Sequence, residues 1–217
     1  MLRYKNDQWV PVALSADVPK ATVVPAWIPD SRIALWRSQS GVLAASAERC
    51  PHRGMRLSYG FVRGETLSCI YHGWSFASDG RCQRIPAHPG LVPPETIHLH
   101  NSVVNERDGI IWVAREQPSL EPPTFPSRIP LKTIMVEAGI TALETAAGAK
   151  ADDNGVISCT LAGENICLLL VAQSACETLT HILVDQDTPV STRITLSRHI
   201  EALRRTAEAI DLRKDAC

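Results

Sequence analysis

Short apolar runs broken by glycine fill the first half of the chain. Arg32–Arg37, Val42–Ser46, Thr66–Ile70 and Ile110–Ala114 have strand length, and Gly41, Gly60, Gly64, Gly80 and Gly109 punctuate them. Asp79-Gly80 and Asp108-Gly109 are turn pairs. No long amphipathic helical period occurs, so the pattern predicts an all-β unit over residues 1–117. Pro118, Pro122, Pro123, Pro126 and Pro130 follow within one short stretch. Proline supports neither helix interior nor central strand, so residues 118–130 are expected to form an extended linker. Beyond it the pattern changes. Lys132–Glu137 reads as a strand, and the alanine-rich stretch Ala138–Ala151 favours a helix that Gly139 and Gly148 weaken. Strands are expected at Val156–Leu161, Ile166–Gln173 and Thr178–Val184. Ile200, Leu203, Ala207 and Ile210 then line one face of a closing helix, with Thr195 or Ser197 as cap and Arg213 and Lys214 in its last turn. Residues 131–217 thus read as a small α+β domain.

Composition alters this picture little. The chain has 217 residues, 45% apolar and 21% charged, which is ordinary for a folded globular protein. Its longest apolar run, Ile166–Ala172, falls well short of the roughly 20 residues a membrane helix needs. Met1–Asp7 lacks the apolar stretch of a secretion signal. The expectation is a cytoplasmic protein without a membrane partner. A net charge of −1 gives no nucleic-acid footprint. The charge is unevenly spread, however. Residues 1–129 carry 14 basic and 11 acidic side chains, and residues 130–217 carry 8 and 12. Arg49, Arg53, Arg56, Arg63, Arg81 and Arg84 crowd one segment that holds only Glu48, Glu65 and Asp79. Such a segment is either a solvated surface or a partner-binding one.

The chemistry lies in that arginine-rich segment. Cys50-Pro51-His52 and Cys69-Ile70-Tyr71-His72 are two Cys-His pairs that can present four ligands from two loops. The other five cysteines read as small hydrophobes or idle thiols. Gly54 and Gly73 follow the histidines, where backbone must turn tightly. Thiolate plus imidazole admits zinc or an iron–sulfur cluster, although a zinc knuckle usually has more than one residue between its ligands. Cys-Pro-His-Arg-Gly followed by Cys-x-Tyr-His-Gly-Trp-x-Phe resembles the signature of the Rieske [2Fe–2S] domain. Trp9–Leu14, Asp79-Gly80-Arg81, Ile85-Pro86-Ala87 and Asp108–Val113 extend the likeness to the N-terminal domain of Rieske non-haem iron oxygenases, the ring-hydroxylating and demethylating kind.

That resemblance implies antiparallel sheets with a cluster-binding subdomain, in which Cys50 and Cys69 hold one iron and His52 and His72 the other. Neutral imidazoles make such a cluster less negative and place its potential between roughly −150 and +300 mV. In the respiratory members of the family a disulfide clamps the loops and a serine hydroxyl bonds to the cluster. The matching positions here are Met55, Tyr71 and Trp74. With fewer hydrogen bonds to stabilise the reduced state, the low end of the range is expected. Arg53 and Arg56 would offset cluster charge, and the wider basic rim would steer an acidic ferredoxin or flavin reductase.

Oxygenase relatives continue into a catalytic domain whose mononuclear iron sits in a triad of two histidines and a carboxylate. The corresponding stretch here, Leu143–Gly148, has no histidine. Only His181 and His199 follow the linker, and the 87 residues of 131–217 are few for such a domain. His181 with Asp185 and Asp187 is the wrong inventory, so His181 is expected at the surface. His199, His88, His98 and His100 are also expected to be exposed. The element order of residues 131–217 suggests a reduced helix-grip fold. The leading expectation is therefore an electron carrier between a reductase or ferredoxin and an oxygenase partner, with no mononuclear Fe(II) of its own. The alternative is a terminal oxygenase subunit acting on a small organic substrate through an unrecognised or degenerate iron site. A redox-sensing or inactive-subunit role and a homo-oligomer stay open.

Overall fold

A computed structural model describes residues 7–212. The first half opens with β1 (Val10–Leu14), β2 (Thr22–Ile28), β3 (Ser31–Arg37) and β4 (Leu43–Ala47). An inserted meander follows: β5 (Phe61–Arg63), β6 (Thr66–Ser68), β7 (Ser75–Ala77) and β8 (Cys82–Arg84). The chain then returns through β9 (Asn101–Arg107) and β10 (Ile110–Ala114). A six-stranded antiparallel sheet runs β1-β10-β9-β4-β3-β2, and the insert forms its own sheet, β5-β6-β7-β8. Trp36, Leu57, Leu67 and Phe76 are fully buried between the two.

The proline-rich stretch is tied down rather than free. Trp9 Nε1 donates to Leu120 O at 2.7 Å, and Phe125 N donates to Asp108 Oδ2 at 2.6 Å. β11 (Arg128–Val136) starts inside it, with a register irregularity after Pro130. A proline fits there because β11 is an edge strand. Gly109 in the β9–β10 turn has φ +74, and a Cβ there would lie 2.8 Å from Pro130 Cγ.

In the second half α1 (Ile140–Ala147) lies between Gly139 and Gly148, the latter in the left-handed region at φ 66. The two glycines bound the helix rather than weaken it. β12 (Val156–Leu161), β13 (Glu164–Ser174) and β14 (Glu177–Asp185) join β11 in the order β11-β14-β13-β12. The last helix, α2 (Val190–Leu212), begins before the expected caps, directly after Pro189. Thr195 therefore lies inside it and bonds back to Ser191 O. Arg213 and Lys214, expected in its last turn, lie outside the described residues. α1 and α2 cover one face of the sheet through Leu143, Leu196, Ile200 and Leu203 packed on Ile166, Leu168, Leu170, Ile182 and Val184.

The opposite face of that sheet packs on the first half. Cys167, Leu169 and Leu183 join Leu14, Ile110 and Trp112 in one apolar cluster. Residues 166–171 are consequently buried on both faces, which accounts for their unbroken apolar run. Burial of each such side chain stabilises by about 1.5–3 kcal/mol, so the two halves are held as one body. Among the described residues no helix is long and apolar enough to cross a membrane.

Candidate functional site

The two loops that carry the candidate ligands are built alike. Cys50 N donates to Met55 O at 2.9 Å and Gly54 N donates to Cys50 O at 2.8 Å. Cys69 N donates to Trp74 O and Gly73 N to Cys69 O, both at 2.9 Å. Each cysteine thus opens a turn closed four and five residues later, with a glycine at φ 68 or 70 where L side chains are strained. Gly73 has a second constraint, since a Cβ there would meet Pro86 Cγ at 2.9 Å.

The donor types sit at different depths. Cys50 and Cys69 are 3% and 2% exposed and belong to the core beneath the loops. His52 and His72 are exposed at the rim, their rings 4.6 Å apart. Burial pushes the Cys50 thiol up to about 11, the neighbouring Cys69 adding to the shift while the backbone N–H groups of His52 and Arg53 favour the thiolate. A thiol this deeply buried gives up its proton readily only beside a positive charge, which a bound metal centre would provide. Partial desolvation, then His72 and Arg53, lower the His52 pKa and favour the neutral imidazole that ligates metal. Among the described residues no group of three or more His, Cys, Asp or Glu gathers around one point.

Aromatic packing holds the rim. The Trp74 indole lies parallel to the His52 ring at 4.5 Å, and Tyr71 contacts His72 at 3.9 Å. The sequence placed Trp74 and Tyr71 in the motif without revealing these contacts; an aromatic flanking a ligand histidine is the signal available.

The nearby acidic groups are engaged elsewhere. Glu48 is buried and accepts from Ser58 N and Oγ, Glu65 accepts from Ser40, and Asp79 pairs with Arg81 at 2.6 Å. Among the described residues, none of Arg49, Arg53, Arg56, Arg63 and Arg84 is in an ion pair. Arg49 donates to Gly54 O at 2.9 Å, and Arg56 lies over the Tyr59 ring.

The histidines of the second half do not form a companion site. His181 is completely buried, contrary to the surface position expected of it. It lies on β14 facing the first half. Its Nε2–H donates to Pro11 O at 3.1 Å, and Nδ1 accepts from Thr133 Oγ1 at 2.8 Å. Burial lowers its pKa to about 4 and keeps it neutral. Asp185 is paired with Arg128. His199 is exposed on α2 and bonds Thr195 O. His88 is exposed, as are His98 and His100, whose rings are 5.2 Å apart.

Residues 8–100 match the family described as the Rieske [2Fe-2S] domain. The chain is 41% identical over 117 residues to Oxidoreductase NdmD of Pseudomonas putida, covering 54% of this chain and 20% of that protein. It is 42% identical over 106 residues to 4beta-methylsterol monooxygenase of Methylococcus capsulatus, covering 47% and 27%. It therefore spans only about a fifth to a quarter of these curated relatives. The crystal structure of dicamba monooxygenase bound to dicamba superposes with a TM-score of 0.76 over 97% of this chain and 88% of that one. At 18% identity this shows a shared fold.

Proposed function

We propose, from the match of residues 8–100 to the Rieske [2Fe-2S] domain family, that Cys50, Cys69, His52 and His72 hold a [2Fe–2S] cluster and that the protein passes single electrons through it in an oxygenase-type redox chain. The observation that carries this reading is the split of the donor set. Two buried thiols form the base and two exposed imidazoles form the rim. When bound, the cluster supplies reversible one-electron chemistry. The protein's own residues do the rest. The Cys50 and Cys69 loops exclude water from the thiolates, and the N–H groups of His52 and Arg53 stabilise charge on the Cys50 sulfur. Trp74 and Tyr71 fix the imidazole planes, leaving the histidine edge as the route in and out. A reductase or ferredoxin donates and an oxygenase accepts, in the cytoplasm. With Met55, Tyr71 and Trp74 in place of clamp and hydroxyl, the midpoint lies at the low end of the Rieske range. Redox titration is expected to give a value below about 0 mV, and one well above zero contradicts the low-potential assignment.

A second reading is a terminal oxygenase subunit acting on a small organic substrate, supported by the fold match across nearly the whole chain. Against it, apolar side chains fill the space between sheet and helices, and His181 is buried on β14 while His199 is exposed on α2. An iron triad would need ligands from elsewhere.

A further inference from the structure

His98 and His100 stand outside the site described above, yet they repeat its imidazole geometry. Their ring centres are 5.2 Å apart with the planes at 72°, against 4.6 Å and 67° for His52 and His72. With metal–nitrogen bonds of about 2.0–2.1 Å, two imidazoles on one tetrahedral ion bring their ring centres to roughly 5 Å. Both side chains are exposed, and among the described residues neither has a hydrogen bond at a ring nitrogen. His181 and His199 differ in this, since each has a ring nitrogen engaged by a backbone carbonyl.

The backbone holds the pair in place. Burial runs exposed, buried, exposed over His98, Leu99 and His100, which puts both imidazoles on one face. Leu99 is 3% exposed and lies in the same apolar cluster as Cys50 and Cys69. The segment is pinned from both sides. Leu99 N donates to Gly80 O at 2.8 Å, Cys82 N donates to Ile97 O at 3.1 Å, and Ala47 N donates to His100 O at 2.8 Å. Gly80 permits this approach, since a Cβ there would collide with Leu99 O. Arg81, bridged to His98, is paired through its guanidinium with Asp79, which offsets the charge it would bring.

We propose that His98 and His100 form a chelating pair that binds one divalent transition ion of the zinc class, with water completing its coordination. Imidazole suits such ions, whereas calcium and magnesium take oxygen donors. The second ring meets an ion already held by the first, so the pair binds about 10²-fold or more tighter than one ring alone. The inference is independent of the cluster assignment, because it uses none of the four cluster residues.

The test is isothermal titration calorimetry of zinc chloride into the full chain loaded with iron and sulfide and kept oxidised. One zinc per chain is expected, and magnesium chloride should give no binding heat. His98→Gln and His100→Gln should each weaken zinc binding by about 100-fold. His88→Gln and His199→Gln, at other exposed histidines, should match the parent. A second measurement uses the unaltered chain. Zinc should shield His98 and His100 from diethyl pyrocarbonate, located by tandem mass spectrometry, while His88 and His199 stay reactive. No bound zinc, or an affinity unchanged in the double variant His98→Gln/His100→Gln, overturns the proposal. So does a loss caused by only one of the two single substitutions, which would mean a lone imidazole and no chelate.

Discussion

His52 and His72 in the first half and His181 in the second show opposite uses of the same side chain. The first two stand exposed, His52 stacked on Trp74 and His72 tilted against Tyr71, above a pair of buried thiols. His181 is buried, with a carbonyl on one ring nitrogen and a hydroxyl on the other. A histidine is available to a metal when a ring nitrogen has no competing partner and ligands of the right type stand nearby. His181 meets neither condition. It joins the two halves instead, through Pro11 on one side and Thr133 on the other.

The largest effect that would sharpen this contrast comes from the thiols. Cys50→Ser or Cys69→Ser should abolish cluster retention, dropping iron and sulfide per purified chain to background. His181→Gln should leave both at the parental level. Iron that survives the cysteine changes and vanishes with His181 would reverse the comparison.

Next in size is the acid response of the His181 joint. Its folded-state pKa of about 4 lies below the usual value near 6.5, so the unfolded chain binds the extra proton between them. This contribution is complete above pH 6.5 and declines as pH falls toward 4, by about 3 kcal/mol in all. Urea unfolding at pH 7.5 and pH 4.5 should therefore show a larger acid loss in the parent than in His181→Gln. Equal losses would remove His181 as the cause.

Comparable at Gly73 and smaller at Gly54 are the effects of the loop glycines, which separate backbone strain from crowding. Gly73→Ala combines a positive φ with the Pro86 contact and should cost about 2–4 kcal/mol. Gly54→Ala meets nothing within 4 Å and should cost only the φ strain, about 1–2 kcal/mol. Thermal unfolding with a parallel iron assay ranks them; equal effects would mean that the Pro86 contact is relieved at no cost.

The contrast also marks what the sequence could reveal. The loops of the candidate ligands were legible because their residues are local: each cysteine, histidine and glycine lies within five positions of its partners. His181 was not, since its partners lie 48 and 170 positions away. Its alternation with Thr180 and Ile182 gave no sign that the first half would cover that face. The strands at Val156–Leu161, Ile166–Gln173 and Thr178–Val184 were readable from their apolar runs. The early start of α2 was not, because its first buried residue is Leu196, one and a half turns inside the helix. Gly139 and Gly148 were visible as helix breakers, but only the left-handed Gly148 shows that they delimit α1. The Pro-rich stretch betrayed its extended form and concealed its anchorage, which depends on Trp9 and Asp108.

The reading proposed above is that Cys50, His52, Cys69 and His72 hold one Rieske cluster and that neither His181 nor His199 binds a further iron. Iron and acid-labile sulfide per chain, measured with EPR of the oxidised and reduced forms, tests it most directly. Two irons and two sulfides are expected, with a Rieske signal alone, appearing on reduction. A third iron that depends on His181 or His199, or zinc without sulfide, would contradict it.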